Sequence, residues 1–511
     1  RYPHLYLVQL AVSVQLLMQA TTVTPAISRR VFPQLASVRA RSGACAIAIA
    51  AALGGCALST PPDPQATLSS ALPAGTRVAP AWAAASATGS AAAVENGWLK
   101  SFNDPQLDTI VAEAIAHNPD LRQAAAAVTA AREAVAVVGA QLMPQVGVQL
   151  GATARQDRDN GSFDSTFAAL GVGWEMDVWG RLRAQTAASQ ATADAVALDY
   201  AFARQSLAAT TAKLWFLAAD SNQLVALSEQ AVKIFTELLG LVQQRRAAGK
   251  DTDLNVVDIR AKLESAQSAL VAARQANETS RRALELLLGR YPSAEIRTAT
   301  SFAPLSTPPA TGLPASLLER RPDLLAARQQ VLAAFRQEES AKLALLPDFS
   351  LALQGGRLGS GLLSVLGLNP WLAAAQIGMS IPIYEGGALR AQVQIATAQQ
   401  EQAVARYGGA ALKAFAEVEN ALAGERFLRE RLPFDERALA DRTRAVEIAT
   451  IQFKYGQRDI LWVGNLQVQQ LGNQEEVLRT RTAQRINRVQ LLLALGGDFG
   501  AEPAAAASRL P

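Results

Sequence analysis

The sequence predicts a mainly α protein with a small β part, built by duplication, and three observations carry that reading. A pattern that opens on Pro-Asp and closes on Leu-x-Pro occurs twice: NPDLRQAAAAVTAAR to GAQLMPQVGVQL from Asn118 to Leu150, and RPDLLAARQQVLAAF to LALLPDFSLAL from Arg321 to Leu353. Pro119 and Pro322, like Pro144 and Pro347, lie 203 residues apart, so the copies align without a gap. Later landmarks stay in step at a spacing of 207: Arg183-Ala184-Gln185 with Arg390-Ala391-Gln392, Gly249 with Gly456, Leu254 with Leu461, and Leu288-Gly289 with Leu495-Gly496. Leu182 to Leu239 contains neither Gly nor Pro, which predicts one very long helix. Between the short and long helices of each copy, apolar residues alternate with small or polar ones, the period of a strand.

Composition bounds the function. Half of the residues are hydrophobic, aromatics are few, and 48 Lys and Arg face 44 Asp and Glu. Abundant alanine suits closely packed helices. Scattered arginine without a basic block argues against a nucleic-acid partner. No apolar run reads as a membrane-spanning helix, so a crossing would have to be made by strands.

Residues 1–55 read as an upstream segment plus a lipoprotein signal peptide. Leu5 to Met18 is apolar but lacks the flanks of such a signal, so 1–40 read as translated sequence ahead of the start, with Val31 or Val38 as alternative starts. Arg29, Arg30, Arg39 and Arg41 form a positive region, Ala44 to Leu53 an apolar one, and Leu53-Gly54-Gly55-Cys56 a small-residue cleavage site. The tetrapeptide resembles a lipobox, which would make Cys56 the acylated residue. The other reading is an ordinary signal peptide with Cys56 incidental. Cys45 and Cys56 offer no disulfide framework.

Residues 56–103, rich in Ala, Ser, Pro and Thr to about Asn96, read as an acylated tether. The first repeat, 104–290, opens with an amphipathic helix from Asp104 to His117 and continues with a helix from Pro119 to about Leu142. Strands are predicted at 146–155 and 167–178, joined by a polar loop from Gln156 to Thr166 that holds Asn160-Gly161. A helix to about Arg246, a turn at Gly249-Lys250-Asp251 and a returning helix from Thr252 to Leu288 complete it. Residues 291–316 form a Pro-rich connector. The second repeat, 317–497, has a strand from Phe349, a loop from Gly355 to Pro370 and a strand from Trp371 to Ile383. Its long helix runs from Arg390 to Tyr455, with bends or a break expected at Gly408-Gly409 and Pro433, then a turn at Gly456 to Asp459 and a return to Leu495. Residues 498–511 read as a disordered tail.

Alternating strands also suit a soluble sandwich. Their length matches a tilted bilayer span, and Trp174, Trp179, Trp371 and Tyr384 sit at strand ends like an interfacial girdle. Four strands cannot close a barrel, so they must be shared among chains; three copies supply about twelve. The helices, with no globular partner, must bury their apolar stripes on each other as coiled coils.

The residues then carry a resemblance. Asn118-Pro119-Asp120-Leu121 with Arg321-Pro322-Asp323-Leu324, Leu345 to Leu351 (LLPDFSL), Trp174 to Arg181 (WEMDVWGR) and Pro382 to Gly387 (PIYEGG) are similar to the TolC-like outer membrane efflux factors, in the lipoprotein branch typified by OprM and NodT. Ala416 to Leu422 (AEVENAL) and Phe453-Lys454-Tyr455-Gly456 add to it, and the match covers about 56 to 497. The resemblance implies a homotrimeric α-barrel tunnel with a shared twelve-stranded transmembrane β-barrel. It also implies a passive exit duct, anchored in outer membrane lipid, whose tips dock on a periplasmic adaptor and an inner-membrane pump. The alternative is a periplasmic coiled-coil structural lipoprotein that does not span the membrane.

Enzyme readings fail. His4 and His117 lie far apart without metal-ligand partners, and no P-loop, dinucleotide fingerprint or nucleophile elbow is present, so no catalytic residue, metal or cofactor is expected. The resemblance implies a constriction near the tips, where relatives often place aspartates and this chain has Trp462 and Asn465. Trp462 either forms an apolar plug or packs between coiled coils. Asp253 and Asp258 are the first-repeat acidic candidates, although a helix start explains Asp253 equally. Arg458 and Asp459 are candidates for a tip network, and Gly249, Lys250, Gly456 and Gln457 for adaptor contact.

Overall fold

The computed structural model describes residues 58–73, 76, 78–84, 96–157, 161–299, 302–305, 308–359 and 372–500. Two helical hairpins of matching length run from a small sheet to a pair of tips. The elements are α1 (Pro64–Ala71), α2 (Pro105–His117), α3 (Pro119–Gly139), β1 (Gln145–Asp157), β2 (Gly161–Met176), α4 (Arg181–Ala247) and α5 (Asp253–Leu287). Then follow α6 (Pro314–Arg320), α7 (Pro322–Leu343), β3 (Asp348–Gly359), β4 (Leu372–Ser380), α8 (Ala388–Lys454) and α9 (Ile460–Ala494). Helices α4 and α8 each have 67 residues, about 100 Å at 1.5 Å per residue. Both start after a left-handed glycine, Gly180 at φ 87° and Gly387 at φ 86°.

The strands form one antiparallel sheet in the order β1-β2-β3-β4. Register separates its faces. Val148 pairs with Leu170, Val172 with Leu353, and Leu351 with Ile377 on one face; Gly147 pairs with Gly171, which pairs with Gln354, on the other. The strands differ from expectation at their ends. β1 and β2 stay paired out to Asp157 and Gly161, so most of the predicted 156–166 loop is strand. β2 stops at Met176 because the Asp177 carboxylate turns to accept from the Leu182 and Arg183 amides at 3.0 Å, capping α4. β4 ends at Ser380, not Ile383, because Pro382 has no amide to donate. Trp371 lies outside the described residues.

The tryptophans expected at strand ends are staples. The Trp174 indole donates to the Leu142 carbonyl at 3.0 Å and the Trp179 indole to the Pro347 carbonyl at 2.7 Å. Each holds the helix-to-strand turn of one repeat. Arg181 pairs with Glu175 at 2.6 Å and Arg183 with Asp177 at 3.0 Å, so the WEMDVWGR motif is a junction between sheet and helix.

Three further expectations change. Helix α8 runs unbroken through Gly408 and Pro433. A Cβ on Gly408 would meet the Ala71 carbonyl at 2.4 Å, so this glycine admits α1. On either side of Pro433, Arg431 and Glu436 bridge to Glu476 and Arg481 of α9, which hold the helix in line. The segment after Cys56 is not wholly a tether, since α1 lies on α8 and the Trp82 indole reaches the Thr311 carbonyl at 3.2 Å. Helix Pro119–Leu142 is by length and composition long and apolar enough to cross a membrane; it packs along α4.

Glu339 accepts from the Ser59 amide at 2.7 Å and pairs with Arg336 at 2.6 Å, and Arg336 also binds the Ser59 carbonyl at 2.8 Å. Glu339→Ala is therefore expected to free the chain ahead of α1, read as faster proteolysis there with the hairpins intact.

The core repeats with the sequence. In the first repeat Leu107, Val111, Trp215, Phe216, Leu284 and Leu288 are buried together; in the second, Leu324, Val418, Leu491 and Leu495. Gly289 and Gly496 end the returning helices at φ 70°, and a Cβ on Gly289 would meet the His117 carbonyl at 2.7 Å. Asn118 donates to the Leu287 carbonyl at 3.1 Å and Arg321 to the Ala494 carbonyl at 3.4 Å, the same contact in both copies. These contacts explain why Asn/Arg-Pro-Asp-Leu and Leu-Gly recur in register.

The connector is held down as well. Glu285, 2% exposed, accepts from the Ala294, Glu295 and Ile296 amides at 2.6, 2.6 and 2.9 Å. Burial alone would raise its carboxyl, but the three amides outweigh burial and hold it below the ordinary carboxylate range. Its contribution is therefore complete above the ordinary carboxylate range and is lost as pH falls through the lower folded value. Glu285→Gln is expected to lower stability by about 2 kcal/mol at pH 7, with the gap to wild type closing on acidification, as measured by melts across pH.

Candidate functional site

The tips lie at the ends of the hairpins far from the sheet, and each is closed by the same device. Gly249 (φ 69°) and Gly456 (φ 71°) end the outgoing helices in the left-handed region. The Lys250 amide reaches the Arg245 carbonyl at 2.9 Å and the Gln457 amide the Gln452 carbonyl at 2.8 Å. Lys250 and Gln457 both face solvent.

The tips of the two repeats pack together. Phe235, Leu238, Val242, Val256 and Ile259 form a cluster joined by Ile460, Leu461 and Val468. Gly464 makes this possible, since a Cβ there would lie 2.1 Å from the Leu238 side chain. Sequence reasoning passed over Gly464; the signal was a glycine within a helical pattern.

Each expected site residue has a definite place. Asp253 pairs with Arg246 at 2.5 Å and Asp258 with Lys262 at 2.9 Å, so each first-repeat carboxylate has a solvent-exposed cationic partner within its own hairpin. The Lys262 ammonium also reaches Asn465 Oδ1 at 3.5 Å, linking the repeats. Arg458 lies over the Trp462 ring, 4.7 Å from its centroid, and Trp462 is 40% exposed. Within one chain Trp462 is therefore not buried between coiled coils. Asp459 caps α9, accepting from the Leu461 amide at 3.4 Å. Cys56 lies outside the described residues.

One residue of the first tip reads in the sequence only as part of a turn. Asp251 accepts from Asn255 Nδ2 at 2.7 Å and from the Thr252 amide at 2.8 Å, and pairs with Arg245 at 3.2 Å. The Asn255 bond first, then the amide, hold its carboxyl below the ordinary range. Its counterpart in the second repeat is Arg458, so one tip is braced by a carboxylate and the other by cation and ring. Among the described residues no cluster of three or more His, Cys, Asp or Glu is placed to hold a metal.

Comparison with known proteins agrees with this architecture. The family model described as outer membrane efflux protein matches residues 110–290 and 313–497. The chain is 28% identical over 475 residues to the pyoverdine export outer membrane protein OpmQ of Pseudomonas putida, covering 90% of this chain and 98% of that one. It is 28% identical over 466 residues to the toluene efflux pump outer membrane protein TtgC of the same species, covering 88% and 93%. The crystal structure of the CmeC outer membrane channel of Campylobacter jejuni superposes with a TM-score of 0.79 at 18% identity, covering 88% and 96%.

Proposed function

The chain belongs to the outer membrane efflux protein family and is an outer-membrane exit duct of a tripartite efflux system, and we propose that it works as a lipid-anchored homotrimer. The observation that carries the oligomer is the sheet. Its four strands leave β1 and β4 as open edges, and unpaired backbone in lipid costs several kcal/mol per group. Pairing β1 of one copy with β4 of the next closes about twelve strands into a barrel from three copies. The apolar face then meets lipid and the Gly, Ala and Gln face lines the lumen. A structural coiled coil that does not span the membrane has no use for so two-faced a sheet.

Cys56 is the acylation point in this reading, and the outer membrane the site of anchoring. The tips at Gly249-Lys250 and Gly456-Gln457 meet the periplasmic adaptor, behind which an inner-membrane pump supplies the energy. Relatives with this architecture are named for pyoverdine, toluene and cation export. A common duct with such different cargoes leaves selection to the pump, so the cargo class is small molecules, and the duct itself performs no chemistry.

At the tips, Asp253 and Asp258 each have an exposed cationic partner, and Trp462, with Arg458 over its ring, is the gating element, an apolar constriction that closes by bulk and dewetting. Asn465 and Asp459 hold α9 in position beside it. Trp462→Ala is expected to raise single-channel conductance in a planar bilayer on the order of twofold or more; an unchanged conductance would reduce Trp462 to packing.

The decisive experiment is deletion and complementation, scored with antibiotics, detergents, metals and aromatic acids together with dye retention. Sensitisation to unrelated compounds, restored by wild type, supports a multidrug duct; sensitisation to one class names a specialised exporter. A purified protein that forms no pores in a bilayer would defeat the reading.

A further inference from the structure

We propose that the cavity between the connector and the α8–α9 hairpin binds a small amphipathic organic anion, with its head group on Arg485. The cavity has a volume of about 530 Å³, within the range of small-molecule sites. Phe302, Leu305 and Leu432 give it an apolar wall. Its polar lining is unbalanced: Arg429, Arg481, Arg485 and Arg488 face only Glu425 and Glu436, four cations against two anions.

The pairing shows where the excess sits. Glu425 takes both Arg488 at 2.5 Å and Arg429 at 3.5 Å, and Glu436 takes Arg481 at 2.7 Å. Arg485 has no carboxylate within ion-pair distance among the described residues, although it is 9% exposed. Its guanidinium donates to the Arg481 and Ala303 carbonyls, each at 3.2 Å, and lies 4.9 Å from the Phe302 ring centroid. The Asp220 carboxylate accepts from the Thr482 hydroxyl at 2.9 Å. Burial and the neighbouring Arg481 both press Arg485 toward its neutral form.

A buried cation without a counter-ion is costly, and carbonyl dipoles and a ring face offset only part of that cost. A carboxylate, sulfonate or phosphate ester would complete the set. Its apolar portion would lie along Phe302 and Leu432, which distinguishes it from inorganic phosphate. Arg485 also lines a second cavity of about 410 Å³ with Gln223, Gln474 and Thr482.

The test is calorimetry on the full-length protein in detergent, titrated with 2-naphthoate and, separately, with the neutral isostere 2-naphthamide and with inorganic phosphate. Saturable binding of one naphthoate per chain is expected, with the amide and phosphate each about tenfold weaker or worse. Arg485→Gln should lose naphthoate binding while melting at or above the wild-type temperature, because it removes an uncompensated charge. Leu432→Trp, which fills the cavity and keeps Arg485, should lose binding as well. Equal binding of the amide, no binding of naphthoate, or unchanged binding in either variant would overturn the proposal. So would a markedly lower melting temperature for Arg485→Gln, which would make Arg485 a strap on Ala303.

Discussion

Arg321→Met is expected to lower stability by about 3–5 kcal/mol, the cost of stranding the partners of a buried ion pair. The Arg321 side chain is 4% exposed and pairs with Asp323 and Glu417, each at 2.7 Å. Burial opposes its charge, but Asp323 and then Glu417 outweigh it, so the guanidinium is held above its ordinary value. The variant leaves two carboxylates facing an apolar side chain and removes the bond to the Ala494 carbonyl. The corresponding Asn118→Ala loses neutral hydrogen bonds only and should cost about 1–2 kcal/mol. Thermal melts of the two purified variants check the ranking. Equal losses would show that Arg321 acts through its backbone contact alone.

Leu150→Arg is expected to abolish assembly in the outer membrane, whereas Gln149→Arg should assemble normally. Both side chains are exposed in the single chain, so a soluble sheet would tolerate the two equally. They point to opposite faces of β1. In the proposed barrel Leu150, with 74% of its surface exposed, meets lipid, and an arginine near the bilayer midplane costs about 2–4 kcal/mol. Three copies multiply that to about 6–12 kcal/mol per barrel, enough to unfold most assemblies. Gln149→Arg would face water in the lumen. Membrane fractionation and heat-modifiable gel mobility read the outcome, and equal behaviour of the pair would remove the lipid-facing assignment.

Much of this architecture was legible because it rests on local periodicity. The Gly- and Pro-free run beginning at Leu182, the alternation from Val146 and the glycines at 249 and 456 each dictate backbone conformation within a few residues. Duplication doubled the signal, since a landmark that recurs in register marks the same structural position twice. The motif WEMDVWGR was visible, but its reason was not: Asp177 caps a helix and Trp179 reaches Pro347, 168 residues away.

What the sequence determined alone was the order and kind of elements, the turns and the two-faced strands, since these follow from φ preferences and the periods of helix and strand. Tertiary structure decided which charges are spent and which are free. Asp253 and Asp258 read as constriction carboxylates and Arg458 as part of a tip network, yet Arg246 and Lys262 pair with the first two while the third covers Trp462. It also decided that Gly408 admits α1, that Gly464 admits Leu238, and that Arg485 is buried with no carboxylate in ion-pair distance among the described residues. Pairing and close approach join residues far apart in the chain, and no local pattern records which distant partner will be there.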